Sequence, residues 1–318
     1  MKIYTRDQIE QVLPSLDLLP AIEAGFKAYS TGKAEVPPVG ELILEKGEVH
    51  IKYGYLHDDE YYVIKIASGF YHNPHLGLPT GNGMMLLYDQ MTGQPVSILL
   101  DEGRLTDIRT AVAGAVAAKY LAPANVERIG IVGTGVQARL QLTHLETVTG
   151  CRRVLIWGRG QSQLDQYLHD MANSGFTIET TLDAADILGT CNLVVTTTPA
   201  TAPLLMAADL QSGTHIAAVG SDTPTKQELE AAILERADLV VADSIAQCLV
   251  RGEIHQAVKA GRLAETSLLE LGAIIAGQVP GRTTDSQITV ADLTGVAVQD
   301  IKIAEAVHNA LRVSRNNI

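Results

Sequence analysis

The stretch Val126–Leu145, VERIGIVGTGVQARLQLTHL, decides the fold. A short β-branched run, Ile129, Ile131 and Val132, ends in Gly133-Thr134-Gly135-Val136-Gln137-Ala138, and an apolar-periodic segment follows. The order is strand, glycine-rich turn, helix. Gly133 permits the tight turn, Gly135 lets a pyrophosphate approach the backbone, and Ala138 is small enough for close packing of helix on strand. The first N–H groups of that helix, at the positive end of its dipole, suit phosphate oxygens.

Taken alone, this spacing fits an ordinary turn of an α/β domain equally well. Its surroundings narrow the reading. A second strand, Arg153–Trp157, begins ~20 residues on, the length of one βαβ unit. A third, Asn192–Thr198, ends in Thr197-Thr198-Pro199, and a fourth, Thr214–Val219, ends in Gly220-Ser221-Asp222. Leu239–Val241 and Ile288–Asp292 add two further apolar runs. Strands alternating with helical patterns predict a Rossmann-type doubly wound parallel sheet, with its ligand beyond the carboxyl ends of the strands.

The rest of the chain bounds the answer. At 318 residues it is long enough for two ordinary domains and an ample core. No apolar run approaches the ~18 residues of a membrane helix, and MKIYTRDQIE lacks a basic-then-apolar leader pattern. A net charge of −12 disfavours a nucleic-acid partner, because the phosphates would repel the whole molecule. Cys151, Cys191 and Cys248 are scattered without metal-type spacing, which predicts reduced thiols and a cytoplasmic setting. His72 and His75 have no acidic or thiol companions at ligand spacing, so no metal site is expected.

Before the nucleotide motif, the apolar pattern of Thr5–Gly32 is broken by Pro14 and Pro20, predicting two short helices. An antiparallel meander is then expected over Glu41–Leu44, Glu48–Tyr55, Tyr61–Ser68, Met84–Asp89 and Pro95–Asp101, followed by an Ala-rich helix over Ile108–Leu121. A helix over Val298–Val313 closes the chain.

Three polar residues stand against apolar surroundings. Lys65 lies in the strand Tyr61-Tyr62-Val63-Ile64-Lys65-Ile66-Ala67, where a lysine is either ion-paired or part of an anion or acid/base site. Arg109 sits early in the Ala-rich helix, as a salt-bridge partner of Asp101 or Asp107 or as a bidentate clamp on a substrate carboxylate. Asp222 follows a strand of the nucleotide sheet, as an active-site group or as the N-cap of a helix holding Glu228–Leu234.

Together these residues resemble the ornithine cyclodeaminase/μ-crystallin family along nearly the whole chain. The resemblance rests on Gly77-Leu78-Pro79-Thr80, Leu105-Thr106-Asp107-Ile108-Arg109-Thr110-Ala111, the Gly133–Ala138 turn, Val219–Pro224 with Glu228-Leu229, Gly252-Glu253-Ile254, and Asp292–Asp300. It implies a substrate-binding and dimerisation domain of α+β type, residues 1–122 with 297–318, into which a nucleotide domain, residues 123–296, is inserted. It implies a homodimer and chemistry on α-imino or α-amino acids at a nicotinamide ring. It assigns the α-carboxylate to Arg109 and Lys65, a proton relay to Lys65, and acid/base work to Asp222. It adds Thr80, Thr110, Val136, Gln137, Thr197, Thr198, Pro199, Val219, Gly220 and Thr294 to the cofactor positions.

The departures from the family pattern point to the substrate and the cofactor. Where cyclodeaminases carry a Glu for a distal ammonium, this chain has Lys52, or His50 if the hairpin is longer. Neither is an acid, so ornithine and lysine are disfavoured and a second carboxylate, as in iminosuccinate, is favoured. The Arg or Lys that often follows the Pro-Pro pair is Val39 here. Asn82 replaces an apolar residue and is expected to reach the substrate. The second strand ends in Gly158-Arg159, not in the acid that binds ribose hydroxyls, which favours NADP(H) over the alternative NAD(H). Three activities follow in order of expectation: an NAD(P)H-dependent imine reductase or amino-acid dehydrogenase, a cyclodeaminase with recycled NAD, and a non-enzymatic small-ligand binder of the μ-crystallin kind.

Overall fold

In the computed structural model, which describes residues 1–316, the chain divides into two units. One comprises Met1–Arg109 and the segment from Val296 onward; the other is Thr110–Gly295. The first junction thus falls inside the helix Arg104–Leu121, earlier than the break expected at residue 122. Among the described residues no helix is long and apolar enough to cross a membrane.

The first unit is built on a mixed sheet of β1 (Lys2–Thr5), β2 (Ala34–Glu35), β3 (Gly40–Leu44), β4 (Gly47–Leu56), β5 (Tyr61–Gly69), β6 (Gly81–Asp89) and β7 (Pro95–Leu100). Its order is β1-β7-β6-β5-β4-β2, with β3 paired to β4. Strands β3 to β7 form the expected antiparallel meander. The parallel edge strand β1 is absent from the sequence reading, because Tyr4 is its one buried side chain and so short a segment shows no period. Pro14 and Pro20 fall at starts of helical segments, Leu13–Ser15 and Leu19–Ser30, where proline's missing N–H is harmless.

Side chains alternate strictly across this sheet. Val63, Lys65, Met85, Leu87 and Leu99 are buried on the inner face, which the final helix, Ala297–Asn316, covers along β4 to β7. The outer face presents Tyr53, Tyr55 and Met84 exposed, with Tyr62 stacked on Tyr88 at 4.9 Å.

The second unit has the parallel sheet that the Gly133 stretch predicts. Its strands are β8 (Ile129–Val132), β9 (Arg153–Trp157), β10 (Thr177–Thr181), β11 (Leu193–Thr196), β12 (Thr201–Leu205), β13 (His215–Ala218), β14 (Gln227–Leu229), β15 (Leu239–Ala242), β16 (Leu268–Glu270) and β17 (Thr289–Asp292). The main sheet runs β10-β9-β8-β11-β13-β17-β15-β16, every pair parallel, and β12 with β14 forms a separate ladder. The order reverses between β8 and β11, the switch point at which such sheets bind ligands. Strand β10 escapes the sequence reading because it is a polar edge, Thr-Ile-Glu-Thr-Thr. The segment Gln227–Leu229 is a strand and the helix begins only at Ala231, with Glu230 at its N-cap position, so Asp222 is not the N-cap of a helix holding Glu228.

Candidate active site

The inner face of the first sheet holds a cluster of buried charge. Lys52 on β4 stands directly opposite Lys65 on β5, so both side chains share that face. They are 7% and 1% exposed, which for two lysines demands anionic company. Arg109 joins them from the Arg104–Leu121 helix, whose start is fixed by the Asp101 carboxylate accepting the Leu105 N–H at 2.8 Å. The anion is Asp300, on the final helix. Lys65 Nζ lies 2.9 Å from each of its carboxylate oxygens, and Arg109 Nε lies 2.9 Å from Oδ1. Arg109 also donates to Gln299 Oε1 at 2.8 Å. Arg109 is thus salt-bridged to Asp300, an acid that the chain brings in from its final helix.

One fully buried carboxylate thus serves Lys65 and Arg109 with Lys52 close by. Arg109, Lys65 and Lys52 together hold Asp300 below the usual carboxylate range despite its burial. Burial first, and then the charges of Arg109 and Lys52, push Lys65 down to about 7, against the pull of Asp300. Burial raises Asp101 above the usual carboxylate range, against the Leu105 N–H and the charge of Lys65. Three basic side chains on one buried face suit an organic anion, and Lys65 is poised to exchange a proton near neutrality.

The other first-unit candidates separate by strand parity. His50 pairs with Ala67 in the register and lies on the Lys65 face, 3.6 Å from Glu41 and 3.7 Å from Glu48. Asn82 pairs with Ser68, which puts it on the opposite face, exposed, with its Oδ1 bonded to the Gly83 N–H at 2.7 Å. The expectation that Asn82 reaches the substrate beside Lys65 is corrected by that one-residue offset. Thr80 belongs to this unit too, where its carbonyl accepts the Phe70 N–H.

In the second unit, Gly133 has φ +119°, a conformation open to glycine, and a Cβ there would strike the Thr197 hydroxyl. Gly135 caps the helix Val136–Leu145, and a Cβ on it would meet nothing within 4 Å. That open space over a helix N-terminus is the cradle a pyrophosphate requires. Ala138 is fully buried, while Val136 is exposed. Arg139 ties the turn down through the carbonyls of Thr134 and Gly135. Gly158 is packed under Thr134 and Leu164, whose methyl groups would have to shift for a side chain there, and Arg159 beside it is exposed. Thr197, Thr198, Pro199, Val219 and Gly220 follow the carboxyl ends of β11 and β13. Gln137 stands in the first turn of the helix, and Thr110 offers its carbonyl to Gln141 Nε2 at 3.1 Å. Thr294 is 2% exposed, its hydroxyl engaged by Asp243 and Gln247. Asp222, at the end of the β13 loop, is bonded to Lys226 Nζ at 2.7 Å. Among the described residues there is no cluster of three potential metal ligands.

The family model for ornithine cyclodeaminase/mu-crystallin proteins matches residues 1–315. The chain belongs to this family. It is 43% identical over 96% of its length to the uncharacterized cyclodeaminase y4tK of Sinorhizobium fredii, covering 94% of that protein. It is 34% identical to the iminosuccinate reductase of Paracoccus denitrificans, over 96% of this chain and 95% of the other. Among solved structures, an archaeal alanine dehydrogenase dimer with bound NAD superposes with a TM-score of 0.90 at 33% identity, over 99% and 96% of the two chains. The Delta(1)-pyrroline-2-carboxylate reductase of Thermococcus litoralis, in complex with NADH and L-proline, gives 0.92 at 28% identity, over 98% and 97%.

Two residues of this family member went unassigned in the sequence reading. Asp300 closes the last quoted motif, yet nothing local marks it as the partner of Lys65, 235 positions away. Glu228 belongs to another and proves to be a fully buried acceptor. Neither sits in an apolar run, since the neighbours are Lys226-Gln227-Glu228-Leu229-Glu230 and Gln299-Asp300-Ile301-Lys302, so no local signal marks either carboxylate as buried.

Proposed function

We propose that this protein is an NAD(P)H-dependent reductase of small α-imino acids, equally an amino-acid dehydrogenase in the reverse direction, with a dicarboxylic substrate such as iminosuccinate preferred over a cyclic ketimine. The observation that carries this reading is the buried trio Lys52, Lys65 and Arg109, with Lys65 and Arg109 both on the carboxylate of Asp300. Arg109 grips the α-carboxylate through its planar fork. Lys52 takes a second carboxylate; a distal ammonium at that place meets like charge instead, which argues against ornithine.

A bound nicotinamide supplies the hydride that the α-carbon receives. Lys65 delivers a proton from Nζ to the imine nitrogen, so that C=N becomes CH–NH with one hydride and one proton added. Its titration near 7 makes the donation facile at neutral pH. Asp222, coupled to Lys226, is the second proton carrier. NADP(H) is the proposed cofactor, since Gly158 leaves no carboxylate to repel a 2′-phosphate and Arg159 is free to meet it; NAD(H), named in the relatives' structures, is the alternative.

The first unit is proposed to dimerise through the outer face of its sheet, where Tyr53, Tyr55 and Met84 are more than a third exposed. The archaeal relative is a dimer.

Oxidation of NADPH and NADH with oxaloacetate, pyruvate or cyclic imines, each with ammonia, tests the function. Aspartate formation from oxaloacetate is the expected outcome. Ammonia release from ornithine with trace NAD and no net reduction would instead establish the cyclodeaminase. Binding without turnover, indifferent to Lys65→Ala, would establish the non-enzymatic ligand binder.

A further inference from the structure

Behind the carboxyl edge of the parallel sheet, three buried carboxylates are linked in series. Asp292, at the end of β17, accepts the Ile254 N–H at 2.8 Å and so anchors the helix Gly252–Lys259. Glu253, in the first turn of that helix, accepts the N–H groups of Glu228 at 2.6 Å and Leu229 at 3.3 Å, and so anchors β14. Glu228, on β14, reaches the sheet edge. Its Oε1 accepts the Thr198 N–H at 2.6 Å; its Oε2 accepts the Thr196 hydroxyl at 2.7 Å and the Gly220 N–H at 3.0 Å. One side chain therefore binds the loop after β11 to the loop after β13.

The contact is close. A Cβ on Gly220 would strike both the Thr198 backbone and the Glu228 carboxylate. Both loops lie on the β11 side of the switch point, while the glycine turn lies on the β8 side. In a sheet of this order the dinucleotide's two halves divide across that point, with the pyrophosphate at the glycine turn. The half that leads away from the β9 end, where Arg159 stands, is the nicotinamide half.

The geometry points to Glu228 as the positioning residue for the nicotinamide half of the cofactor: its carboxylate fixes the Thr197–Pro199 and Val219–Gly220 loops in the one arrangement that seats the ring. This rests on the proposed nicotinamide cofactor, not on any particular substrate. Glu228 touches neither ring nor substrate; it acts through the loops. Only a carboxylate can accept all three donors. In Glu228→Gln one oxygen becomes an NH₂ facing N–H or O–H groups, with no change of shape.

Calorimetric titration of the full-length protein with two ligands tests this. NADH or NADPH carries the ring; ADP-ribose or its 2′-phosphate lacks it. Glu228→Gln should weaken the complete dinucleotide about tenfold or more, as expected for loss of a charged hydrogen bond and creation of a donor clash, and leave the ring-less fragment within twofold. Thr196→Val, which removes one of the three donors, should give the same selectivity with a smaller loss, and it serves if Glu228→Gln does not fold. Melting temperatures identify that case. Equal losses on both ligands would make Glu228 a fold residue only and overturn the inference, as would unchanged dinucleotide binding. If wild type binds neither ligand, the cofactor reading itself fails, an outcome distinct from either of these.

Discussion

Lys65 carries the sharpest test of the chemistry. Its ammonium is destabilised by burial and by Arg109 and Lys52, and stabilised by Asp300, with a balance at about 7. If the protonated form is the donor, imine reduction falls as pH rises through that value. Replacing Asp300 by Asn removes the stabilising charge and keeps the shape, so Lys65 loses its proton more readily. The falling limb of the pH–rate profile should then move to lower pH in Asp300→Asn; a limb that stays in place refutes the assignment. Lys65→Met should cut the rate by ~10²–10⁴-fold while calorimetry finds NADPH binding unchanged. Lys52→Glu should raise KM for the dicarboxylic substrate by ~10-fold or more through like-charge repulsion, with a much smaller effect on a monocarboxylic imine. A uniform loss on both substrates would remove Lys52 from the specificity account.

The end of β9 makes a prediction about cofactor choice. Gly158 is wedged under Thr134 and Leu164. An acid at this place, the usual route to NAD preference, would need Thr134 and Leu164 to shift, and the preference of the present chain turns on Arg159. Arg159→Ala should weaken NADPH about tenfold and leave NADH nearly unchanged. Equal NADPH affinity in the variant would show that the exposed guanidinium is uninvolved. Between β13 and β17, His215 Nδ1 meets the Thr289 hydroxyl at 2.9 Å. Burial, and then Arg282, push this imidazole down from 6.5 to about 3. The unfolded chain thus takes up a proton below pH 6.5 that the folded sheet refuses, so the neutral imidazole's contribution is present above pH 6.5 and is lost as pH falls towards 3. The slope is ~1.4 kcal/mol per pH unit. Denaturant melts across that window should show a shallower acid loss in His215→Gln than in wild type.

The whole molecule adds assembly to these local tests. The first unit's sheet is two-faced: one face is filled by the final helix and the other keeps tyrosines, isoleucines and Met84 in partial contact with solvent. Ile66, near the middle of that outer face, is the place to break a dimer. Ile66→Glu should convert a sedimenting dimer to a monomer, with melting behaviour little changed because the inner core is untouched. A wild-type chain that sediments as a monomer at micromolar concentration would remove this face from the account.

The sequence by itself determined whatever depends on short spacing. The turn at Gly133, the period of each strand of the meander, the proline-set starts of the first helices and the oddness of a lysine in a tyrosine- and isoleucine-rich strand are all local, because φ, pleat and helix period act over a few residues. It also put Lys52 and His50 on one face of their strand, since parity is a counting rule, but only the hairpin register set that face beside Lys65. Tertiary structure alone decided the partners. Asp300 meets Lys65 across 235 positions, and Asn82 is turned away by a register one residue from the alternative. Strand β1 exists only because β7 offers it a free edge, and Gln227–Leu229 extends beside β12 instead of coiling. Charge pairing and strand pairing are long-range choices made by which surfaces the folded chain brings within 3 Å or so of each other, and no window of sequence contains both sides of that choice.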